Sequence, residues 1–99
     1  MPREAKGELR HLADGFAARI TISGRERRDF VLKTCATEAV ADERTAALGQ
    51  VAARLRRAGH ADKILKMLEI GANARAGRPW RAFLAAVEAV CSGTVETLT

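Results

Sequence analysis

Residues 15–34, GFAARITISGRERRDFVLKT, alternate between apolar and polar side chains with a period of two. In an extended strand this period sends successive side chains to opposite faces, so the segment favours a β-ribbon with one buried face. The apolar face is predicted to contain Phe16, Ala18, Ile20 and Ile22. The opposite face carries Ala17, Arg19 and Thr21, so arginine collects on the side turned away from the core.

Two turns divide this N-terminal region into three strands. A first strand is expected at Glu8–Leu12, and residues 14–15 form the Asp-Gly dipeptide that best fits a type I′ hairpin turn. Residues 23–24 begin a second turn with Arg25 and Glu26 at its tip. The third strand is predicted from about 27 to 33, with Phe30 and Leu32 buried and Asp29, Val31 and Lys33 facing outward.

The apolar face of such a small sheet has to be covered, and the following segment predicts a long helix that can do so. Thr34 and Thr37 are candidate caps, and Gly59 follows the predicted helix end. Acidic residues come early (Glu38, Asp42, Glu43) and basic ones late (Arg54, Arg56, Arg57), which suits the helix dipole. The stripe expected to face the sheet contains Ala47, Leu48, Val51, Ala52, Leu55 and Ala58.

Two shorter helices are predicted next. The first has Ala61, Ile64, Leu65 and Leu68 on one side and fades near Gly71. The second has Pro79 in its first turn, ends at Gly93, and spaces Trp80, Phe83, Leu84, Val87, Val90 and Cys91 as on one helix face. The fold class is therefore α+β, a three-stranded antiparallel sheet packed on one long helix and followed by two shorter ones. The expected division is 7–59 for sheet and helix, 60–93 for a helical extension and 94–99 for a linker.

Length and charge narrow the range of functions. The chain has 99 residues, enough for one small domain, and a formal net charge of +5. Its isoelectric point is about 10.0, above the value of about 9 at which nucleic acid becomes a serious candidate partner. We expect a cytoplasmic protein, because no segment resembles a signal peptide or a membrane span. Cys35 and Cys91 are expected to be buried and reduced.

No arrangement of residues indicates catalysis. His11 and His60 have no metal-ligand partner at a recognisable spacing, and the sequence contains no tyrosine and no phosphate-binding glycine loop. We therefore expect a protein that is not an enzyme and uses no cofactor, metal or small-molecule substrate.

The basic face of the predicted sheet is the remaining functional feature. A three-stranded sheet fits the major groove of B-DNA, which is about 12 Å wide, and arginine there can bind guanine or phosphate. The same side chains could instead solvate an exposed face or discourage strand pairing at its edges. The candidate DNA-binding residues from this pattern are Arg10, Arg19, Arg25, Arg27 and Lys33, with Arg28 beside them.

The runs GELRHLADGFAARITI and RRDFVLKTCATEAVADERTAAL resemble the N-terminal region of phage-type tyrosine recombinases, the site-specific integrases. The segment at 58–93 is similar to the helical continuation in one bacterial branch of that family. This resemblance implies binding of arm-type DNA sites by the open face of the sheet, through Arg10, Arg19, Thr21, Arg27 and Lys33. The family's chemistry needs a nucleophilic tyrosine, so the chain is expected to be either a fragment or a stand-alone module, and its end TVETLT favours a fragment.

A different class of function is also open. Trp80, Phe83, Leu84 and Val87 could mediate self-association or docking, including to other recombinase subunits, without direct DNA contact. The inner seam of a helical pair is the favoured interpretation of this stripe, and an excisionase-like or regulatory role is a third option.

Overall fold

The computed structural model describes residues 7–23 and 25–92 and confirms the predicted α+β class. A three-stranded antiparallel sheet in the order β1-β2-β3 is followed by three helices, the first much the longest. The elements are β1 (Glu8–Leu12), β2 (Gly15–Ser23), β3 (Glu26–Val31), α1 (Glu38–Arg57), α2 (Ile64–Asn73) and α3 (Arg78–Ser92). A single 3₁₀ turn, Ala61–Lys63, leads into α2.

Strand register confirms the two faces expected from the alternation. Leu9 pairs with Ala18 and Ala18 with Phe30, and this row faces α1, with Ala18 and Phe30 buried. The first turn differs from its prediction because Leu12 pairs with Gly15, which leaves residues 13–14 as the loop. Gly15 therefore belongs to β2, and no non-glycine residue of the described ranges has a positive φ, so the turn is not type I′. A bulge interrupts β2 between Thr21 and Ser23.

Helix α1 begins at the cap that its sequence provides. The Oγ1 of Thr37 accepts a hydrogen bond from the backbone N–H of Val40 at 3.3 Å, whereas Thr34 lies outside the helix. At the other end Ala58 is the C-cap, and Gly59 follows with a φ of 86°. The predicted stripe is buried at Leu48, Val51, Ala52 and Leu55. Ala58, by contrast, is exposed beyond the end of the helix.

Helix α2, expected to fade near Gly71, continues for two residues beyond it and ends at Asn73. Gly71 is buried where α2 meets both other helices, and a Cβ built there would lie 2.6 Å from Cζ of Phe83 and 2.9 Å from Cδ2 of Leu48. The glycine thus serves close packing and does not end the helix. The expected buried side is also partly wrong, since Ile64 and Leu68 are buried but Ala61 and Leu65 are exposed.

The core is one cluster that extends from the sheet through all three helices. Ile20 and Leu32 contribute from the sheet side, Leu48 from α1, Leu68 from α2 and Phe83 from α3. Segment 60–92 therefore shares its core with the sheet. The predicted linker 94–99 and the helix end expected at Gly93 lie outside the described residues.

Both cysteines are free, with Cys35 buried in the core and Cys91 half-buried against it. No helix in the described part of the chain combines the length and apolar character needed to cross a bilayer.

Candidate nucleic-acid interface

The face of the sheet turned away from α1 is hereafter called the open face. Direct cross-strand pairing fixes its members, because residues opposite one another point to the same side. One row joins Glu8, Arg19 and Asp29, a second joins Arg10, Ala17 and Val31, and a third joins Thr21 and Arg27, with Leu12 and Gly15 at the end. Four predicted site residues therefore share this surface: Arg10, Arg19, Thr21 and Arg27.

None of the described helices lies across the open face, although α2 borders its β3 edge, where Glu69 and Asn73 line a depression with Asp29 and Val31. Helix α1 packs against the opposite side of the sheet, where Ala18 and Ile20 are fully buried. On the open face Arg10 and Arg27 are exposed, and Val31 retains 47% of its accessible surface. Ala17 is the exception at 1% exposure, since its methyl group lies in a row between two much larger side chains. The open face is therefore a shallow surface on which polar side chains surround a buried apolar centre.

Two carboxylates, those of Glu8 and Asp29, are interleaved with the arginines, and only Asp29 is expected from the sequence to face outward. Nε of Arg19 donates a hydrogen bond of 2.9 Å to Oδ1 of Asp29, directly across the strand pair. This bond and the charge of Asp29 raise the pKa of the Arg19 guanidinium above its usual range, and Glu8 adds to the rise. Nη1 of Arg10 lies 3.9 Å from Oε2 of Glu8. The open face thus carries three guanidinium groups against two carboxylates.

The unpaired positive charge lies toward the turn between β2 and β3. Arg27 and Arg25 make no side-chain hydrogen bond or ion pair with any other described residue, and both are exposed. Arg27, Arg19 and Thr21 line a shallow depression together with Gly7 and Glu8. The guanidinium groups without a carboxylate partner among the described residues therefore lie at one end of the open face, where they are exposed to an external anion.

Two further predicted site residues lie elsewhere. Arg28 pairs with Ile20, so it lies on the helix side of the sheet at its edge, where Nε and Nη2 bind Glu26 at 3.1 and 2.9 Å. Lys33 comes after the end of β3 and is exposed. With Asp29 and Val31 it lines a separate depression that α2 closes through Glu69 and Asn73.

Arg56 contacts the sheet from the side opposite the open face. From the sequence it is expected only to be a basic residue near the end of α1. Its Nη2 donates to the backbone carbonyls of Thr21 and Ile22, at 2.9 and 3.1 Å, where the bulge of β2 begins. The guanidinium thus occupies carbonyl groups at the irregular part of the strand and ties the β2–β3 ribbon to α1. The contact spans 35 residues of sequence for Thr21, so no local pattern indicates it.

The histidines form no catalytic arrangement. His11 lies with its ring edge toward Phe16, and its Nε2 is 3.5 Å from Oε2 of Glu38 at an exposed position. His60 precedes the 3₁₀ turn. Within the described ranges no group of His, Cys, Asp and Glu side chains could hold a metal ion.

The apolar stripe of α3 that was considered for protein–protein contact is largely buried inside the molecule. Phe83 and Val87 are 4% and 3% exposed in the seam of α3, and Trp80 stacks on Phe83 with ring centroids 5.2 Å apart. Only Leu84 of the four is exposed, at 37%. The seam interpretation therefore accounts for most of this stripe.

Comparisons with protein-family models, with curated proteins and with solved structures find no match.

Proposed function

We propose that this protein binds double-stranded DNA by placing the open face of its sheet in the major groove. In the manner of the integrase region that its sequence resembles, it would serve as an accessory module that recognises a DNA site during recombination. It acts as a binder and not as an enzyme, takes no cofactor or small-molecule substrate, and works in the cytoplasm, where bacterial DNA lies.

The observation that carries this proposal is a sheet face with three arginines that no helix of the described residues lies across. Strands in a sheet lie about 4.8 Å apart, so the outer strands of this sheet are separated by about 10 Å. That width suits a major groove about 12 Å across. The exposed guanidinium groups of Arg25 and Arg27 would bind phosphates at its walls together with Arg10, whose ion pair with Glu8 is long and exposed, while Arg19 and Thr21 would face the base edges.

The test is a titration of fluorescein-labelled duplex DNA at several salt concentrations, read by fluorescence anisotropy. Each phosphate neutralised contributes about −0.9 to the slope of log K against log salt, so three contacts give a slope of about −3. An affinity that does not change with salt, or the absence of binding at low salt, would contradict the proposal.

Arg27 and Arg28 provide a matched pair of variants within this titration. They are neighbours in β3 with equal charge, but only Arg27 lies on the open face. Arg27→Ala should weaken binding to all duplexes by roughly threefold to tenfold and reduce the magnitude of the salt slope by about 1. Arg28→Ala should leave the slope nearly unchanged. Equal effects of the two variants would mean that overall charge, and not the open face, determines binding.

A further inference from the structure

The hydrogen bond between Arg19 and Asp29 divides the donors of the guanidinium group. Only Nε of Arg19 is used, at 2.9 Å from Oδ1 of Asp29. Neither Nη1 nor Nη2 of Arg19 makes a hydrogen bond with any other residue that the structure describes. The side chain is partly buried, with 32% of its surface accessible, and it lies in the central strand. One edge of the planar group is therefore held by the protein and the other remains available.

The available edge has the geometry that guanine requires. Guanine presents its O6 and N7 acceptors together in the major groove, and arginine binds both through two parallel N–H groups. A guanidinium held at Nε loses less side-chain freedom when it binds, because its plane is already oriented. A lysine, with a single ammonium on a flexible stem, would lack both properties.

The Asp29 carboxylate also determines what cannot bind. It lies on the open face beside Arg19, and Glu8 occupies the same row on the other side. A DNA phosphate placed over this row would meet two negative charges, whereas a neutral base edge would not. The row therefore disfavours the binding of a phosphate at the middle of the sheet. The exposed arginines toward the β2–β3 turn favour phosphate binding at that end.

We propose that Arg19 and Asp29 act together to read a guanine, with Arg19 binding the base and Asp29 as the specificity-determining residue that orients it. This inference rests on the proposed DNA-binding function and specifies a base that the protein recognises. The proposal divides the open face into two parts. The row of Glu8, Arg19 and Asp29 recognises the base and is hereafter called the reading row. The end at Arg25 and Arg27 binds phosphate.

The experiment begins with selection of bound sequences from a pool of randomised DNA duplexes by the full chain. We expect one enriched position to be guanine. Binding is then measured for the selected duplex and for the same duplex with that guanine pair replaced, and the ratio of the two affinities is the discrimination. Asp29→Ala should lower the discrimination about tenfold, since one such base contact is worth about 1–3 kcal/mol. It should also raise the affinity for unrelated duplexes severalfold, because a negative charge is lost.

Three further variants separate orientation from charge. Glu8→Gln removes the other carboxylate of the row without touching the Arg19–Asp29 bond, so it should raise all affinities while leaving discrimination intact. Asp29→Asn removes the charge but keeps an oxygen that accepts from Nε, so it should lose less discrimination than Asp29→Ala. Arg19→Lys should lose as much discrimination as Asp29→Ala. Circular dichroism of each variant establishes that the fold is retained.

The outcomes separate this inference from the proposed function. If no duplex binds the unmodified chain, the DNA-binding function itself is wrong. If duplexes bind with a salt slope but no guanine is enriched, the function stands and the reading row is wrong. The reading row is also wrong if Asp29→Ala and Glu8→Gln raise affinity equally without changing discrimination, or if Asp29→Ala weakens all duplexes equally.

Discussion

Arg44 of α1 is a buried charge that contacts the C-terminal end of α2 and the first turn of α3. It retains 6% of its accessible surface, and its Nη1 donates to the carbonyls of Gly71 and Ala74 at 3.0 and 2.7 Å. Its Cζ lies 3.9 Å from the ring centroid of Trp80 in α3. A cation is favourable there because the carbonyls at the C-terminal end of α2 carry partial negative charge. The side chain of Arg44 thus satisfies backbone groups and carries an aromatic contact at the same time.

Arg44→Met is expected to destabilise the protein by about 2–4 kcal/mol. The substitution keeps an apolar stem but leaves the two carbonyls with fewer donors and removes the cation–π contact. Urea denaturation followed by circular dichroism measures the loss. Arg81→Ala, at an exposed position of α3, is the control and should change stability by no more than about 0.5 kcal/mol. A loss of equal size in the two variants would mean that Arg44 contributes only its charge.

The burial of Arg44 and its partners could not be predicted from the sequence. Periodicity treats an arginine as a solvent-facing residue, and the groups that bury this one lie 27 and 30 positions later in the chain. The same holds for the ion pair of Arg19 with Asp29. The outward orientation of both residues is confirmed, but their contact depends on the register of β2 against β3, and a shift of the pairing by two residues would keep the same faces while separating Arg19 from Asp29.

The individual elements follow from the sequence to very different degrees. The three strands and α1 were predicted closely because their signals are local: alternation, a threonine cap at Thr37 and a glycine at Gly59. The end of α2 was predicted less closely, because a glycine in a helical pattern can have two opposite roles. It can end a helix through its backbone freedom or allow another element to approach closely, and only the positions of Leu48 and Phe83 decide between them.

Gly71→Ala tests the second meaning. Alanine improves helix propensity by about 1 kcal/mol over glycine, but the added Cβ would lie 2.6 and 2.7 Å from two ring atoms of Phe83. We expect the overpacking to dominate, with a net loss of about 1–2 kcal/mol in urea denaturation. Lys66→Ala, at an exposed site of α2, should stay within about 0.5 kcal/mol. A stabilised Gly71→Ala variant would show that α3 can shift to accommodate the methyl group.

Over the whole described part of the molecule, one continuous core joins the sheet and α1 to α2 and α3, a packing that the sequence left open. The apolar side of α1 meets the sheet through Leu48 and Ala52, and the same cluster continues into α2 and α3. On the surface, Arg54 of α1 and Glu88 of α3 form a two-point ion pair, with Nη2 at 2.8 Å from Oε1. The open face stays available because the helices pack together on the other side of the sheet.

A shared core implies that the sheet and α3 unfold together. Trp80 is the sole tryptophan of the chain, so its fluorescence reports on α3, while far-UV circular dichroism reports mainly on the helices and sheet as a whole. Because separating α3 would expose Phe83, Val87 and the Trp80–Arg44 contact, both signals should give the same urea midpoint, as in a two-state transition. In the Arg44→Met variant both midpoints should fall together. If the Trp80 signal changes at a lower urea concentration than the dichroism, α3 detaches before the remainder unfolds, and the open face belongs to a smaller folding unit than the core suggests.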